Sequence, residues 1–172
     1  MNVQEYIRTV PDYPVEGVNF YDLNSLFASP SWYLFADKLA DNISQRHLNQ
    51  THIVGIESRG FVVGAALAHA LDIPFVMVRK KGAKYPGKLL EESYELEYGK
   101  DTVVLQEGLL GHTSRVIIVD DLVATGGTLL ATKRLVEKTG AKVLACACVV
   151  NLKYLNKFGY RDIEVVSLHE QE

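Results

Sequence analysis

The feature that most constrains this chain is the run VIIVDDLVATGGT at residues 116–128. Its first four residues are β-branched and apolar, which is typical of a strand buried on both faces of a parallel sheet. Asp120 and Asp121 end that strand, at the carboxyl edge where open α/β sheets bind their ligands. The turn ATGGT and an amphipathic stretch follow. The run therefore predicts a strand, an acidic pair, a glycine turn and a helix within one βα unit.

The two halves of this run suit different parts of one ligand. The turn at residues 125–128 presents N–H groups at a helix N-terminus, where the helix dipole favours a phosphate. The acidic pair would repel a phosphate, and its natural partners are hydroxyl groups or a hydrated divalent cation. A strand end and a helix cap would explain each half alone. Their order along one βα unit favours a site for a sugar phosphate instead.

Further strands and helices alternate along the chain, with strands predicted at residues 52–57, 74–78, 143–150 and 163–167. A helix at residues 61–71 is apolar nearly all round, which predicts an interior helix capped by Ser58. Another helix is predicted to open with Ser29 and Pro30 and to bury one face, made of Trp32, Phe35, Ala36, Leu39, Ala40 and Ile43. Residues 3–10 are expected to be helical. The alternation predicts an α/β fold, a doubly wound, mainly parallel five-stranded sheet with helices on both faces.

Composition limits the class of protein. The chain has 172 residues, 48% of them hydrophobic, and a net charge of −3, which favours one globular domain over residues 1–172 and argues against a polybasic nucleic-acid binder. No apolar run approaches the length of a transmembrane helix, so neither a membrane nor a nucleic acid is expected as a partner. Cys146 and Cys148 alternate on one predicted strand, a poor geometry for a disulfide, and we expect buried thiols in a reducing cytoplasm.

Three further stretches are candidates for chemistry. Arg59 follows the first core strand at the start of a helix, where its charge opposes the dipole unless an anion is present. The run RKKGAKYPGK at residues 79–88 holds five cations directly after a strand, so we prefer a second anion site to a solvated loop. Residues 89–105 predict a β-hairpin with one aromatic face, either a flap over a site or an ordinary solvent-facing hairpin.

The run at 116–128 resembles the phosphoribosyl-pyrophosphate (PRPP) motif of type I phosphoribosyltransferases. The segments PDYPVEGVNFYDL, GIESRGFVVGAALA, VRKKGAKYPGK and SYELEYGKD resemble, in order, the adenine phosphoribosyltransferases of that family. The resemblance implies a small hood, from about residues 1–28 and 151–172, and a flexible hairpin flap at about 80–106. It implies a PRPP site made of Arg59, Arg79, Lys80, Lys84, Asp120, Asp121, Ala124, Thr125, Gly126, Gly127 and Thr128.

The same resemblance implies how the base is bound. Phe20 would stack on adenine, the backbone of Asn19 would meet the edge of the ring, and Leu152 would close its other face. Glu97 and Tyr98 on the flap, together with Arg59, would be the catalytic residues. Tyr21 stands where the family often has arginine.

The implied reaction transfers the 5-phosphoribosyl group from PRPP to N9 of adenine, giving AMP and pyrophosphate, in a cytoplasmic homodimer. Mg²⁺ would be held mainly by PRPP, near Asp120 and Asp121, with no direct protein ligand. Two alternatives remain open. One is a phosphoribosyltransferase for hypoxanthine, guanine or xanthine, with Lys153 or Lys157 meeting the 6-oxo group. The other is a PRPP-binding regulator without catalysis.

Overall fold

The computed structural model describes residues 2–95, 99–156 and 162–172. The α-helices are α1 (Asn24–Phe27), α2 (Trp32–Arg46), α3 (Gly60–Leu71) and α4 (Gly127–Glu137), and 3-10 helices span Val3–Tyr6 and Lys153–Leu155. The strands are β1 (Arg8–Val10), β2 (Phe20–Asp22), β3 (His52–Ile56), β4 (Phe75–Lys80), β5 (Leu89–Glu95), β6 (Lys100–Gln106), β7 (Arg115–Val119), β8 (Leu122–Val123), β9 (Lys142–Leu152) and β10 (Val165–Gln171).

The main sheet has the strand order β10-β9-β7-β3-β4-β6-β5, and the short β8 pairs with β9 beside this path. The five strands β10, β9, β7, β3 and β4 run parallel, which confirms the predicted parallel sheet. The hairpin of β5 and β6 extends the same sheet, because β6 pairs antiparallel with the end of β4. The sequence predicted the hairpin but not this attachment.

Side chains of the parallel strands alternate between two hydrophobic clusters, one on each face of the sheet. Ile117 and its alternate neighbours pack with α2 and α3, whereas Ile118 and its alternate neighbours pack with α4 and the hairpin. Both faces are therefore covered, as the double winding requires. Cys146 and Cys148 are buried and free, as predicted, and burial raises the pKa of each thiol far above its usual range.

The predicted face of α2 is confirmed, since all six of its apolar positions are buried. The start of this helix was predicted two residues too early. Ser29 forms a turn, in which its hydroxyl accepts the N–H of Ser31 and its carbonyl accepts the N–H of Trp32, and the helix begins only at Trp32.

Helix α3 is not the interior helix that its composition predicted. Val63, Gly64 and Leu67 are buried, but Val62 is 43% exposed and Ala65 and His69 are also exposed. Ser58 contributes its backbone carbonyl to the N–H of Phe61 and makes no side-chain cap. None of the helices in the described part of the chain is long and apolar enough to cross a membrane.

The N-terminal prediction of a helix over residues 3–10 is wrong beyond its first turn. Asn2 caps the 3-10 helix by accepting the N–H of Gln4, and the chain then becomes strand β1. Thr9 and Val10 are β-branched, and they pair antiparallel with Tyr21 and Phe20 of β2. This two-stranded ribbon carries the predicted base-binding segment.

Candidate active site

The acidic pair lies at the carboxyl end of β7, where the start of α3 approaches closely. A Cβ atom placed on Gly60 would lie 2.9 Å from the carbonyl oxygen of Val119 and 3.0 Å from Oδ1 of Asp120. Only a glycine permits this contact without displacement of the strand end. The preceding peptide bond between Glu57 and Ser58 is cis. The close approach of Gly60 places residues 58–60 (SRG) next to the acidic pair.

A backbone N–H group and the side chain of Arg59 stabilise the two carboxyl groups of the acidic pair. The backbone N–H of Asp121 donates to Oδ1 of Asp120 at 2.9 Å, and Nε of Arg59 lies 2.9 Å from Oδ2 of Asp121. Burial and the adjacent Asp121 charge raise the pKa of Asp120 well above its usual range. Burial also raises the pKa of Asp121, against the opposing effect of Arg59. Further hydroxyl donors or a cation would stabilise this pair.

The glycine turn forms a small cavity directly beside Asp120. Its volume is about 130 Å³, and its lining includes the predicted residues Ala124, Thr125, Gly126, Gly127 and Thr128. Gly126 precedes α4 with φ of +88° and carries no side chain to cap the helix. The first N–H groups of α4 therefore lack a side-chain cap, which suits a helix N-terminus that binds an anion.

Arg59 joins the acidic pair to the base segment. Its guanidinium carbon lies 5.0 Å from the centre of the Phe20 ring, and Nη1 donates to the carbonyl oxygen of Tyr21 at 3.2 Å. Its Nε pairs with Asp121 as described. The sequence predicted that Arg59 contacts pyrophosphate, which stays a prediction; in the structure its side chain pairs with a carboxylate of the protein itself. The residue therefore connects the two halves of the site.

Glu57 organises the start of the basic run, and it was not among the predicted site residues. Its two carboxylate oxygens accept from Nε and Nη2 of Arg79, each at 3.2 Å, and Oε2 also accepts the N–H of Lys80 at 2.8 Å. Burial raises the pKa of Glu57, but hydrogen bonds from Arg79 and Lys80 outweigh that effect and lower it overall. A signal was available, because Glu57 ends its strand at the same sheet edge as Asp120.

The basic residues of the run do not all point to one place. Nη1 of Arg79 donates to the carbonyl of Lys84, whose own side chain is exposed. Lys80 instead binds the hairpin, with its ammonium 2.7 Å from Oδ2 of Asp101 and in contact with the hydroxyl of Tyr94. Burial lowers the pKa of Lys80, but these partners raise it overall. Asp101 and Tyr94 were not predicted as partners of Lys80.

The base segment lies on β2 at the front of this arrangement. Phe20 is half-buried and meets Tyr13 edge to face at 5.2 Å, while Asn19 is exposed. Leu152 at the end of β9 is only 2% exposed and belongs to the cluster beneath α2 and α3. The predicted catalytic residues Glu97 and Tyr98, and Lys157, lie outside the described residues.

The acidic strand end, glycine turn and helix on a doubly wound sheet are those of a phosphoribosyltransferase, since the phosphoribosyl transferase domain family matches residues 23–165. The adenine phosphoribosyltransferase of Rhodospirillum rubrum is 47% identical over 156 residues, 90% of each chain. That of Methylobacillus flagellatus is 40% identical over the whole of both chains. The chain therefore belongs to the adenine phosphoribosyltransferase family.

Solved structures agree with this assignment. An adenine phosphoribosyltransferase from Rhodothermus marinus is 40% identical, with a TM-score of 0.88 over 98% of this chain and 96% of that one. The Saccharomyces cerevisiae enzyme, complexed with adenine and an imino-altritol bisphosphate, is 36% identical with a TM-score of 0.87 over 96% of both. The Trypanosoma brucei enzyme, in complex with AMP, pyrophosphate and ribose-5-phosphate, has a TM-score of 0.82 at 28% identity, over 97% of this chain and 77% of that one.

Proposed function

We propose that this chain transfers the 5-phosphoribosyl group of PRPP to N9 of adenine, forming AMP and pyrophosphate. The observation that carries the proposal is the position of Arg59, which contacts both the ring of Phe20 and the carboxylate of Asp121. A base on Phe20 and a ribose on the acidic pair would then be adjacent. The ligands named in the yeast and trypanosomal structures support these substrates.

In this proposal different residues bind different parts of PRPP. The N–H groups of the turn from Ala124 to Thr128 bind the 5-phosphate, and Asp120 and Asp121 accept bonds from the ribose hydroxyls. Arg59, Arg79, Lys80 and Lys84 provide the positive charge at the pyrophosphate end. As the bond from C1 to N9 forms, the bond from C1 to the pyrophosphate oxygen breaks, its electron pair leaves with pyrophosphate, and the ring proton of adenine is released to solvent. The protein contributes mainly through orientation and electrostatic stabilisation of the leaving group.

The base would lie between Phe20 and the chain segment around Leu152, whose own side chain is buried, with backbone groups at Asn19 reading its edge. Adenine has an amino donor at C6 and an acceptor at N1, whereas hypoxanthine has a carbonyl and an N1–H. A fixed backbone donor or acceptor matches one of these patterns and leaves a buried group unpaired with the other. Such a mismatch discriminates by as much as ~10⁴-fold.

The residues around the acidic pair fit magnesium that arrives with PRPP. In the described parts of the chain no group of three or more His, Cys, Asp or Glu side chains is arranged to hold a metal ion. Asp120 and Asp121 supply hard oxygen donors, and Mg²⁺ commonly binds through one or two carboxylates, substrate phosphates and water. When bound, the ion would neutralise charge on the pyrophosphate. It would be held chiefly by PRPP near these two carboxyl groups.

We extend the proposal to the organisation of one domain over residues 1–172. Residues of about 1–28 and 151–172 form the hood over the base, and a flap at about 80–106 closes on the site. Glu97 and Tyr98 on that flap, with Arg59, are the proposed catalytic residues. The exposed apolar residues Leu34 and Val62 support a homodimer, which sedimentation would detect. The two buried free thiols support a cytoplasmic location.

Turnover of radiolabelled bases with PRPP and Mg²⁺ tests the activity. We expect adenine to exceed hypoxanthine and guanine in kcat/KM by about 10³-fold or more. Hypoxanthine within tenfold of adenine would instead assign a 6-oxopurine enzyme. PRPP binding without turnover of any base would assign the regulator.

A further inference from the structure

We propose that the hydroxyl of Tyr21 is a positioning group that sets the separation of the two sides of the adenine site. The inference rests on the proposed function and names a positioning residue for its base site. Tyr21 follows Phe20, and its hydroxyl is hydrogen-bonded to Gln171 at 2.8 Å and to Tyr154 at 3.3 Å.

These contacts tie the ribbon of β1 and β2 to the rest of the molecule. The ribbon is a separate two-stranded sheet, and such sheets have little stability alone. Tyr21 bonds to Gln171, which ends β10 at the edge of the main sheet. It also bonds to Tyr154, in the 3-10 helix directly after β9. One hydroxyl therefore joins the ribbon to two other elements.

Both sides of the base site depend on this junction. Phe20 lies one residue before Tyr21, and Leu152 lies two residues before Tyr154. A bond between the two tyrosines thus fixes the segment of Phe20 relative to the segment of Leu152. The backbone carbonyl of Tyr21 also accepts a bond from Arg59 at 3.2 Å. Loss of the hydroxyl would loosen the segment that carries the stacking ring, whereas the bond to Arg59 uses the backbone of Tyr21 and does not depend on its side chain.

In this arrangement the hydroxyl of Tyr21 can both donate and accept. The hydroxyl of Tyr21 donates to Oε1 of Gln171, so its bond to Tyr154 is satisfied when it accepts from that hydroxyl. Phenylalanine keeps the ring but makes neither bond, and arginine has donors but no acceptor. Tyr21→Phe is therefore a minimal test, because it removes one oxygen atom.

The experiment measures steady-state kinetics of wild type, Tyr21→Phe, Tyr154→Phe and the double variant, with adenine and PRPP varied separately. We expect Tyr21→Phe to raise the KM for adenine about three- to tenfold, the range of a lost hydrogen bond. Its kcat and its KM for PRPP are expected to stay within twofold. Tyr154→Phe is expected to act in the same direction, and the double variant to show less than the product of the two effects. Tyr33→Phe on α2, where the side chain is 69% exposed, is the matched control and is expected to match wild type.

Four results would overturn the inference. These are an adenine KM within twofold of wild type in Tyr21→Phe, equal rises in both KM values, independent effects in the double variant, or the same rise in Tyr33→Phe. If Tyr21→Phe does not fold, Tyr154→Phe decides in its place by the same criteria. Absence of adenine turnover by the wild type would overturn the proposed function itself, and this inference with it.

Discussion

Gly126 is the residue where backbone conformation matters most at the phosphate turn. With φ at +88°, any other residue is strained there, and Gly126 lines the cavity beside Asp120. We expect Gly126→Ala to raise the KM for PRPP at least tenfold. Gly108→Ala is the matched control, because Gly108 has φ of +87° and open space where a Cβ would stand. Equal effects on PRPP kinetics would reduce the role of Gly126 to general stability.

Asp120 is expected to lower the stability of the folded protein while serving the reaction. Its pKa is raised in the folded state by burial and by Asp121, so the native state binds this proton more readily than the unfolded chain. The contribution of this group to stability is therefore complete below the ordinary pKa of 3.8 and is lost as pH rises through the folded pKa. Asp120→Asn has no carboxyl group to ionise, so it avoids this loss of stability at higher pH.

Asp120→Asn should consequently have a higher Tm than wild type at pH 7, with the difference shrinking as the pH falls toward 4. The same variant should lose about 10²-fold in kcat/KM, because the amide is a weaker acceptor for ribose hydroxyls. Thermal denaturation across pH and steady-state assays measure the two effects. Asp41→Asn, at an exposed position of α2, is the control for a lost surface charge. A lower Tm for Asp120→Asn at pH 7 would contradict this account of the pair.

The site residues that the sequence could predict are those that lie close together in one short sequence motif. Asp120, Asp121 and the turn lie within one βα unit, so their proximity follows from local structure. Glu57 and Asp101 act through partners about twenty residues away, with separations of 22 to Arg79 and 21 to Lys80. Such contacts depend on strand order and register, which a single sequence does not provide.

At the level of elements, the ion pair of Lys80 and Asp101 between the basic run and the hairpin would compete with the proposed ligand. Lys80 is held by Asp101, so in the proposed site pyrophosphate would compete with that carboxylate for the ammonium group. We expect Asp101→Asn to lower the inhibition constant of pyrophosphate about two- to fivefold, the range for a partly exposed pair. Glu91→Gln on the same hairpin breaks the more exposed ion pair with Lys81. This variant should leave the inhibition constant of pyrophosphate unchanged. An unchanged or weaker inhibition in Asp101→Asn would contradict the competition.

The helix with a long periodic pattern was predicted correctly. The elements whose exposure or strand pairing depends on the rest of the fold were not. The six apolar positions of α2 define its buried face without any tertiary information. Helix α3 has apolar residues on every side, and composition cannot show that Val62 and Ala65 face outward. Residues 8–10 become a strand because they pair with Phe20–Asp22, a partner that local propensity does not reveal.

For the whole molecule, alternation of strands and helices was enough to predict the five-stranded parallel core and both covered faces. The position of the ribbon of β1 and β2 against β10 was not predictable by the same means. Tyr21 and Gln171 are separated by 150 residues, and the resemblance to a family, rather than a pattern in the chain, placed both in one hood. The proposed base site therefore depends on contacts between residues far apart in the sequence.

Arg59 belongs to both halves of the site at once, since it binds Asp121, the carbonyl of Tyr21 and the face of Phe20. Thermodynamic linkage then couples the binding of PRPP to the binding of adenine. Whatever factor bound PRPP brings to the affinity for adenine, bound adenine must return to the affinity for PRPP, and a coupling of about 1.4 kcal/mol makes that factor ten in both directions. The equality holds for binding and does not extend to kcat.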